Sequence, residues 1–221
     1  MTFISRRDLL KRVGMTAAVV PLVGDGGPER VALRETDADG ARSQQGRDRE
    51  PLESFTAAEA ALMDAIVTRL IPTDEHGPGA TEAGAVRYID RALTGALAAS
   101  RPAYTSGLAA LDRYARSSRG APLQQLSATD QDSVLIDVET GAATGFTGSS
   151  AAFFAMVLSH THQGTFGDPY YGGNANFVGW DLLGYPGVRT MVSAADQTAL
   201  EKGQLKTNHR SAYDYETFHK G

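Results

Sequence analysis

The sequence contains no cysteine. That excludes a disulfide framework, a thiol nucleophile, a cysteine-ligated iron–sulfur cluster and a C-x-x-C-H haem attachment site. It does not argue for the cytoplasm, because many exported proteins lack disulfides. An excess of positive charge is missing as well: the formal net charge is −5. Residues 1–12 carry Arg6, Arg7, Lys11 and Arg12 against Asp8, so the rest of the chain is more acidic than the total. An acidic body argues against phosphate-backbone binding, and no nucleic-acid partner is expected. The dinucleotide fingerprint GxGxxG, the phosphate loop GxxxxGK[ST] and the nucleophile elbow G-x-S-x-G are all absent. The stretch Gly145, Phe146, Thr147 and Gly148 is a flexible loop by the same standard. No catalytic, cofactor-binding or metal-binding residue is therefore assigned to this chain. Alternating runs rich in Val, Ile and Thr, which a sheet needs, are also lacking. The expected fold is all-α, an irregular domain of about five to seven helices with long aromatic and Gly-rich loops.

Long apolar runs are scarce too. The one at residues 13–23 follows a charged amino-terminus and is too short for a bilayer, which takes roughly 20 apolar residues. A charged region ahead of a short apolar region reads as an export signal. Ser5, Arg6 and Arg7, followed by Leu10 and Lys11, look like a twin-arginine signal, the route for proteins exported already folded. Leu9 stands where Phe is commonest in such signals. No A-x-A site precedes Asp25, so retention of the leader as an anchor stays open. The expected location is the periplasm. Residues 25–54 have no aromatic side chain and few aliphatics, which makes them a disordered linker. The parts expected are thus a signal over 1–24, this linker, a helical domain over 55–205 and a polar tail over 206–221. His209 and His219 lie in that tail and carry no functional signal.

From Thr56 the pattern is helical. Thr56 and Glu59 form a capping box, and Leu62, Met63, Ile66, Val67 and Leu70 recur at three- and four-residue spacing. Pro72 stops this helix, and residues 73–80 form a turn that exposes His76. A second helix is expected to carry Val86, Ile89, Leu93 and Leu97. A third starts at Pro102, turns Tyr104, Leu108 and Leu111 inward, and ends at Gly120. Ser127 and Asp130 cap a fourth through Val134, Leu135 and Val138. A fifth covers about 150–163, a short sixth 174–183, and Ser193 with Asp196 caps a last turn or two.

Residues 151–187 organise the rest. They hold the single Trp, four of the eight Phe and three of the eight Tyr. Gly and Pro break the segment at Gly167, Pro169, Gly172, Gly173, Pro186 and Gly187, which makes tight, defined turns. Aromatics set between such turns pack either on the chain's own core or on a partner. As a partner surface the candidates are Phe166, Tyr170, Tyr171, Asn174, Phe177, Trp180 and Tyr185. Trp180 and Phe166 are assigned to the core side, Tyr170 and Tyr171 to the exposed side. His160 and His162, two apart on a regular helix, point about 200° away from each other and cannot share one metal; they could do so only if the helix has already ended there. Asp168 beside Pro169 reads as a turn-maker.

The run Phe154, Thr161, Gly164, Phe166, Asp168, Pro169, Tyr171 to Asn174, Gly179, Trp180 and Gly184 to Gly187 resembles the gluconate 2-dehydrogenase subunit 3 family. That family comprises small subunits of membrane-bound sugar and polyol dehydrogenases. Thr56 to Glu59, Arg69 to Pro72, Gly77 to Ala80, Ala83, Gly84 and Tyr88 to Asp90 are similar to its amino-terminal half. The resemblance implies a non-catalytic subunit that accompanies an FAD-containing large subunit and a cytochrome c subunit. FAD and haem c then belong to those partners, which oxidise an alcohol or hemiacetal carbon. This chain would carry the export signal for the folded complex and stabilise the flavin subunit. Any membrane association would be indirect. Two readings of other classes compete with it. One is a self-contained periplasmic enzyme using His160, His162, Asp168 or Tyr170, with or without a metal. The other is a sugar-binding protein whose pocket is lined by the 160–187 segment.

Overall fold

The computed structural model describes residues 51–216. Arg6, Arg7, the signal, most of the linker and His219 lie outside the described residues. The unit described here begins at Leu52. Seven α-helices and several single turns of 3-10 helix make it up, and among the described residues there is no β-strand. The fold is all-α.

Helix α1, Ala57–Leu70, starts where the sequence says it should. Thr56 Oγ1 accepts the Glu59 N–H at 3.2 Å, and the Glu59 carboxylate accepts the Thr56 N–H at 2.9 Å. Leu62, Met63, Ile66 and Val67 are its buried face. Helix α2, Ala85–Ala92, is shorter than its apolar spacing implies. Leu93 caps it, Gly95 and Leu97 sit in the turns beyond, and Leu97 is only half-buried. Helix α3, Arg101–Arg119, has Pro102 in its first turn and closes on Gly120 at φ 83°. Helix α4, Ala128–Glu139, is capped by Ser127 and buries Val134, Leu135 and Val138.

Helix α5, Ser150–Phe166, is the centre of the domain and packs against α1, α2, α3, α4 and a short helix α6, Val178–Leu183. It runs three residues past its expected end because Gly164 is a contact residue and not a breaker. A Cβ there would lie 2.9 Å from Ala85 Cα, so the bare glycine lets α5 and α2 approach closely. Ala80, Ala83 and Ala85 are fully buried on the facing side. Helix α7, Ala194–Glu201, closes the set of helices.

Where the chain enters the domain, Asp90 on α2 takes hold of it. Its carboxylate, with the residue wholly buried, accepts the N–H groups of Glu53 at 2.8 Å, Ser54 at 2.9 Å and Phe55 at 2.7 Å. Arg101 on α3 adds a second tie, donating to the Ser54 carbonyl and to Glu59. Glu53 and Ser54, the last residues of the segment read as linker, are thus bonded to the helical domain.

Candidate functional site

The aromatic segment hangs from the carboxyl end of α5, and Asn174 holds it there. The Asn174 N–H donates to the Gly164 carbonyl, Nδ2 donates to Gly167 O at 2.8 Å, and Oδ1 accepts the Gly179 N–H at 2.8 Å. The next residue, Ala175, donates to Ala83 O at 2.9 Å on the approach to α2. Glycine is required beside these bonds. A Cβ on Gly173 would run into the Gly164 carbonyl, and one on Gly179 into the Thr165 carbonyl. Asn174, Asn176 and Phe177 all adopt left-handed backbone, with φ of 43°, 54° and 61°. Such a conformation is uncommon for non-glycine residues and an outlier for a bulky one. Surrounding structure must over-determine it, a pattern that concentrates at functional sites.

The candidate residues divide once they are placed. Asn174 is fully buried and Trp180 is 4 % exposed, so both are spent on the fold. Trp180 Nε1 donates to the Phe166 carbonyl at 3.0 Å, and Phe177 and Tyr185 pack on its indole at centroid distances of 5.3 and 4.9 Å. Phe166 and Phe177 are half-buried, while Tyr185 is exposed. Tyr170 and Tyr171 project furthest, at 60 % and 55 % exposure, with their rings nearly perpendicular. Asp168 makes the turn that presents them: Oδ1 accepts the Tyr170 N–H at 3.0 Å.

Its other oxygen reaches a segment to which the sequence assigned no role. Asp168 Oδ2 accepts the Ala212 N–H at 2.9 Å, which brings the carboxyl-terminal residues across the aromatic segment. Tyr213 lies flat on Tyr170, with centroids 3.6 Å apart, and its hydroxyl is 2.9 Å from that of Tyr171. His209 stacks on Phe177 and its Nε2 is 2.7 Å from Asp181 Oδ1. So His209, read as a tail residue without signal, has a defined place. Asn208 and Tyr215 both donate to the Val188 carbonyl, each at 2.7 Å. The tyrosines at 213 and 215 were the available cue, since aromatics in a polar tail need something to pack on.

Beside Tyr170 and Tyr171 the surface forms a shallow cleft of about 440 Å³ with Tyr88, Arg91, Ala92 and Ala96 on the other side. The two histidines of α5 stay apart, as their spacing requires. His160 is buried with Nδ1 3.0 Å from the Tyr104 hydroxyl, whereas His162 is half-buried beside Phe166. Burial lowers the pKa of both imidazoles and raises that of Tyr104 strongly, so the pair at 104 and 160 is neutral near pH 7. Among the described residues no three His, Asp or Glu side chains gather as a metal site, and no helix is long and apolar enough to cross a membrane.

No curated protein and no solved structure matches the chain. A family model does. The one described as gluconate 2-dehydrogenase subunit 3 matches residues 57–187, from the first residue of α1 to the last turn of the aromatic segment. That is more than half of the 221 residues. It takes in Gly164, Gly173, Asn174 and Gly179, whose packing and hydrogen bonds build the site. The chain belongs to the gluconate 2-dehydrogenase subunit 3 family.

Proposed function

We propose that this chain is the non-catalytic small subunit of a periplasmic, FAD-dependent dehydrogenase acting on a sugar or sugar acid. Family membership makes it an accessory subunit of a multi-subunit dehydrogenase complex. The finer reading adds the partners, a flavoprotein large subunit and a cytochrome carrying haem c. Oxidation of the CH–OH carbon belongs to the flavin in the large subunit. This chain offers neither a dinucleotide fingerprint nor a cysteine for haem attachment. Its work is to bind and hold, and to bring the folded complex to the export machinery through Arg6 and Arg7.

The observation that carries the reading is the pair Tyr170 and Tyr171, exposed on a turn that Asp168 holds through the Tyr170 and Tyr171 N–H groups. Large, rigid amphipathic rings presented without mobility are what interface hot spots consist of. The test is to co-express the tagged full chain with the FAD-containing dehydrogenase subunit of the same genome and purify on the tag. Co-elution of flavin absorbance with this chain is the expected result. Recovery of the chain alone would contradict it.

A further inference from the structure

Helix α7 poses a physical problem. It is well made at its amino-terminus, where Ser193 Oγ accepts the Asp196 N–H at 3.1 Å and Asp196 Oδ2 accepts the Ser193 N–H at 3.0 Å. Yet none of its eight residues is buried. Isolated helices shorter than about 12–15 residues are marginal in water, and most helical stability in proteins comes from packing one face. This helix packs almost nothing. The extended residues before it are exposed as well: Met191 at 83 % and Val192 at 54 %, with Leu200 on the helix at 60 %. Of the nine large apolar side chains exposed among the described residues, seven lie between Tyr170 and Leu200. Exposed apolar surface concentrated in this way marks a contact site, where scattered single residues would not.

We infer that residues 188–201 are a docking arm that seats in an apolar groove of the large dehydrogenase subunit, next to the tyrosine surface. This rests on the reading that the large subunit docks on this face. The arm starts at Val188, whose carbonyl accepts the Tyr215 hydroxyl at 2.7 Å, two residues along the chain from the Tyr213 that stacks on Tyr170. Its central charges cancel internally, Arg189 Nη1 standing 3.5 Å from Asp196 Oδ1, so the matching groove is apolar and not charged. A second copy of the chain is a poorer occupant. Eight residues make a helix about 12 Å long and about 10 Å wide, a footprint on the order of 120 Å², far short of the roughly 800 Å² per partner of a standard interface. As the edge of a larger heteromeric surface the same arm is sufficient. The arm also lies beyond residue 187, where the family match ends.

The experiment compares the wild-type full chain with Met191→Asp combined with Leu200→Asp, and with the milder pair Met191→Ser and Leu200→Ser. Each is co-expressed with the FAD-containing dehydrogenase subunit. Because these side chains bury little in the chain, both variants should melt with the wild type when isolated. Capture of the flavin subunit should fall at least about tenfold for the aspartate pair and less for the serine pair. In hydrogen exchange, amides 191–201 should exchange rapidly in the isolated chain and be protected at least about tenfold in the complex. Equal capture by variants and wild type would overturn the arm and leave the tyrosine surface standing. Absence of capture by the wild type would overturn both readings together. A lowered melting temperature in both variants, or a wild-type homodimer that the substitutions dissociate, would place the arm in the fold or in self-association, and either result overturns the proposal.

Discussion

The Gly179 N–H donates to Asn174 Oδ1 at 2.8 Å, and this bond ties the start of α6 to the end of α5. The opposite side of the same amide donates to Gly167 O, so both ends of the Asn174 side chain are used inside the protein. Asn tolerates left-handed backbone better than other non-glycine residues, which suits its φ of 43°. Asn174→Ala should cost roughly 2–4 kcal/mol in chemical denaturation, from one buried and one part-buried orphaned partner and added backbone strain. Gly179→Ala should cost about 3 kcal/mol or more, because its Cβ meets the Thr165 carbonyl. Gly184→Ala is the control: its Cβ meets open space, and only its φ of 65° counts against it, at about 1 kcal/mol. Equal losses at 179 and 184 would show that the close approach is not what demands glycine.

Asp90→Asn should loosen the entry of the chain without disturbing the helices. The carboxylate accepts three consecutive N–H groups, and an amide in its place turns a donor toward one of them. A buried hydrogen bond to a charged group contributes about 1.5–3 kcal/mol. Limited proteolysis should then cut near residues 52–56 in the variant while α1 to α5 stay resistant. An unchanged cleavage pattern would mean that Arg101 and the ion pairs of Glu53 with Arg87 and Arg91 secure this segment without the Asp90 carboxylate.

Acid should weaken the fold through His160. Its folded pKa lies below the ordinary 6.5 because burial disfavours the imidazolium. The unfolded chain therefore binds the proton first. Stability is full above about pH 6.5 and declines as the pH falls from there toward the lowered folded value. His162, also lowered by burial, adds to the same slope. His160→Gln keeps an acceptor for the Tyr104 hydroxyl and removes the titration. Denaturation midpoints between pH 7.5 and 5 should show a shallower decline in that variant, and an identical slope would refute the assignment.

Much of this architecture is legible in the sequence, and what is not has physical reasons. Thr56 with Glu59, Ser127 with Asp130, and Ser193 with Asp196 announce helix starts because capping is local chemistry. The inward set Tyr104, Leu108 and Leu111 follows from spacing alone. Gly164 is harder, since a glycine that ends a helix and one that admits a neighbouring helix look alike until α2 is in place. Val86, Ile89, Leu93 and Leu97 suggest about three turns, yet the helix stops at Ala92 and Leu97 is held from a turn. The reach of Asp90 to residues 53–55 and the stacking of Tyr213 on Tyr170 span 35 or more positions, and no local pattern encodes them. At the candidate site the exposed pair Tyr170 and Tyr171 stand out from their neighbours, Pro169 and the double glycine. The internal role of Asn174 does not.

Export offers a prediction independent of the interface. Arg6→Lys with Arg7→Lys should hold the protein in the cytoplasm, as judged by fractionation and immunoblotting. Normal periplasmic accumulation of the double variant would remove the twin-arginine assignment, and with it the idea that this chain brings its partners to the membrane.

The most direct measurement is binding of the purified chain to the FAD-containing dehydrogenase subunit, with and without the two exposed tyrosines. Tyr170→Ala with Tyr171→Ala removes rings that the fold needs little, beyond the Tyr170 stack on Tyr213 and the Tyr171 hydroxyl contact with Tyr213. The variant should keep its helical content and most of its thermal stability. Truncating a hot-spot aromatic costs about 2 kcal/mol or more of binding, so the Kd should rise at least about 30-fold. Size-exclusion chromatography with light scattering should show a flavin-bearing complex for the wild type and separated chains for the variant at the same concentration. If the folded double variant binds with the wild-type Kd, the aromatic segment is core and cover, and the partner docks elsewhere.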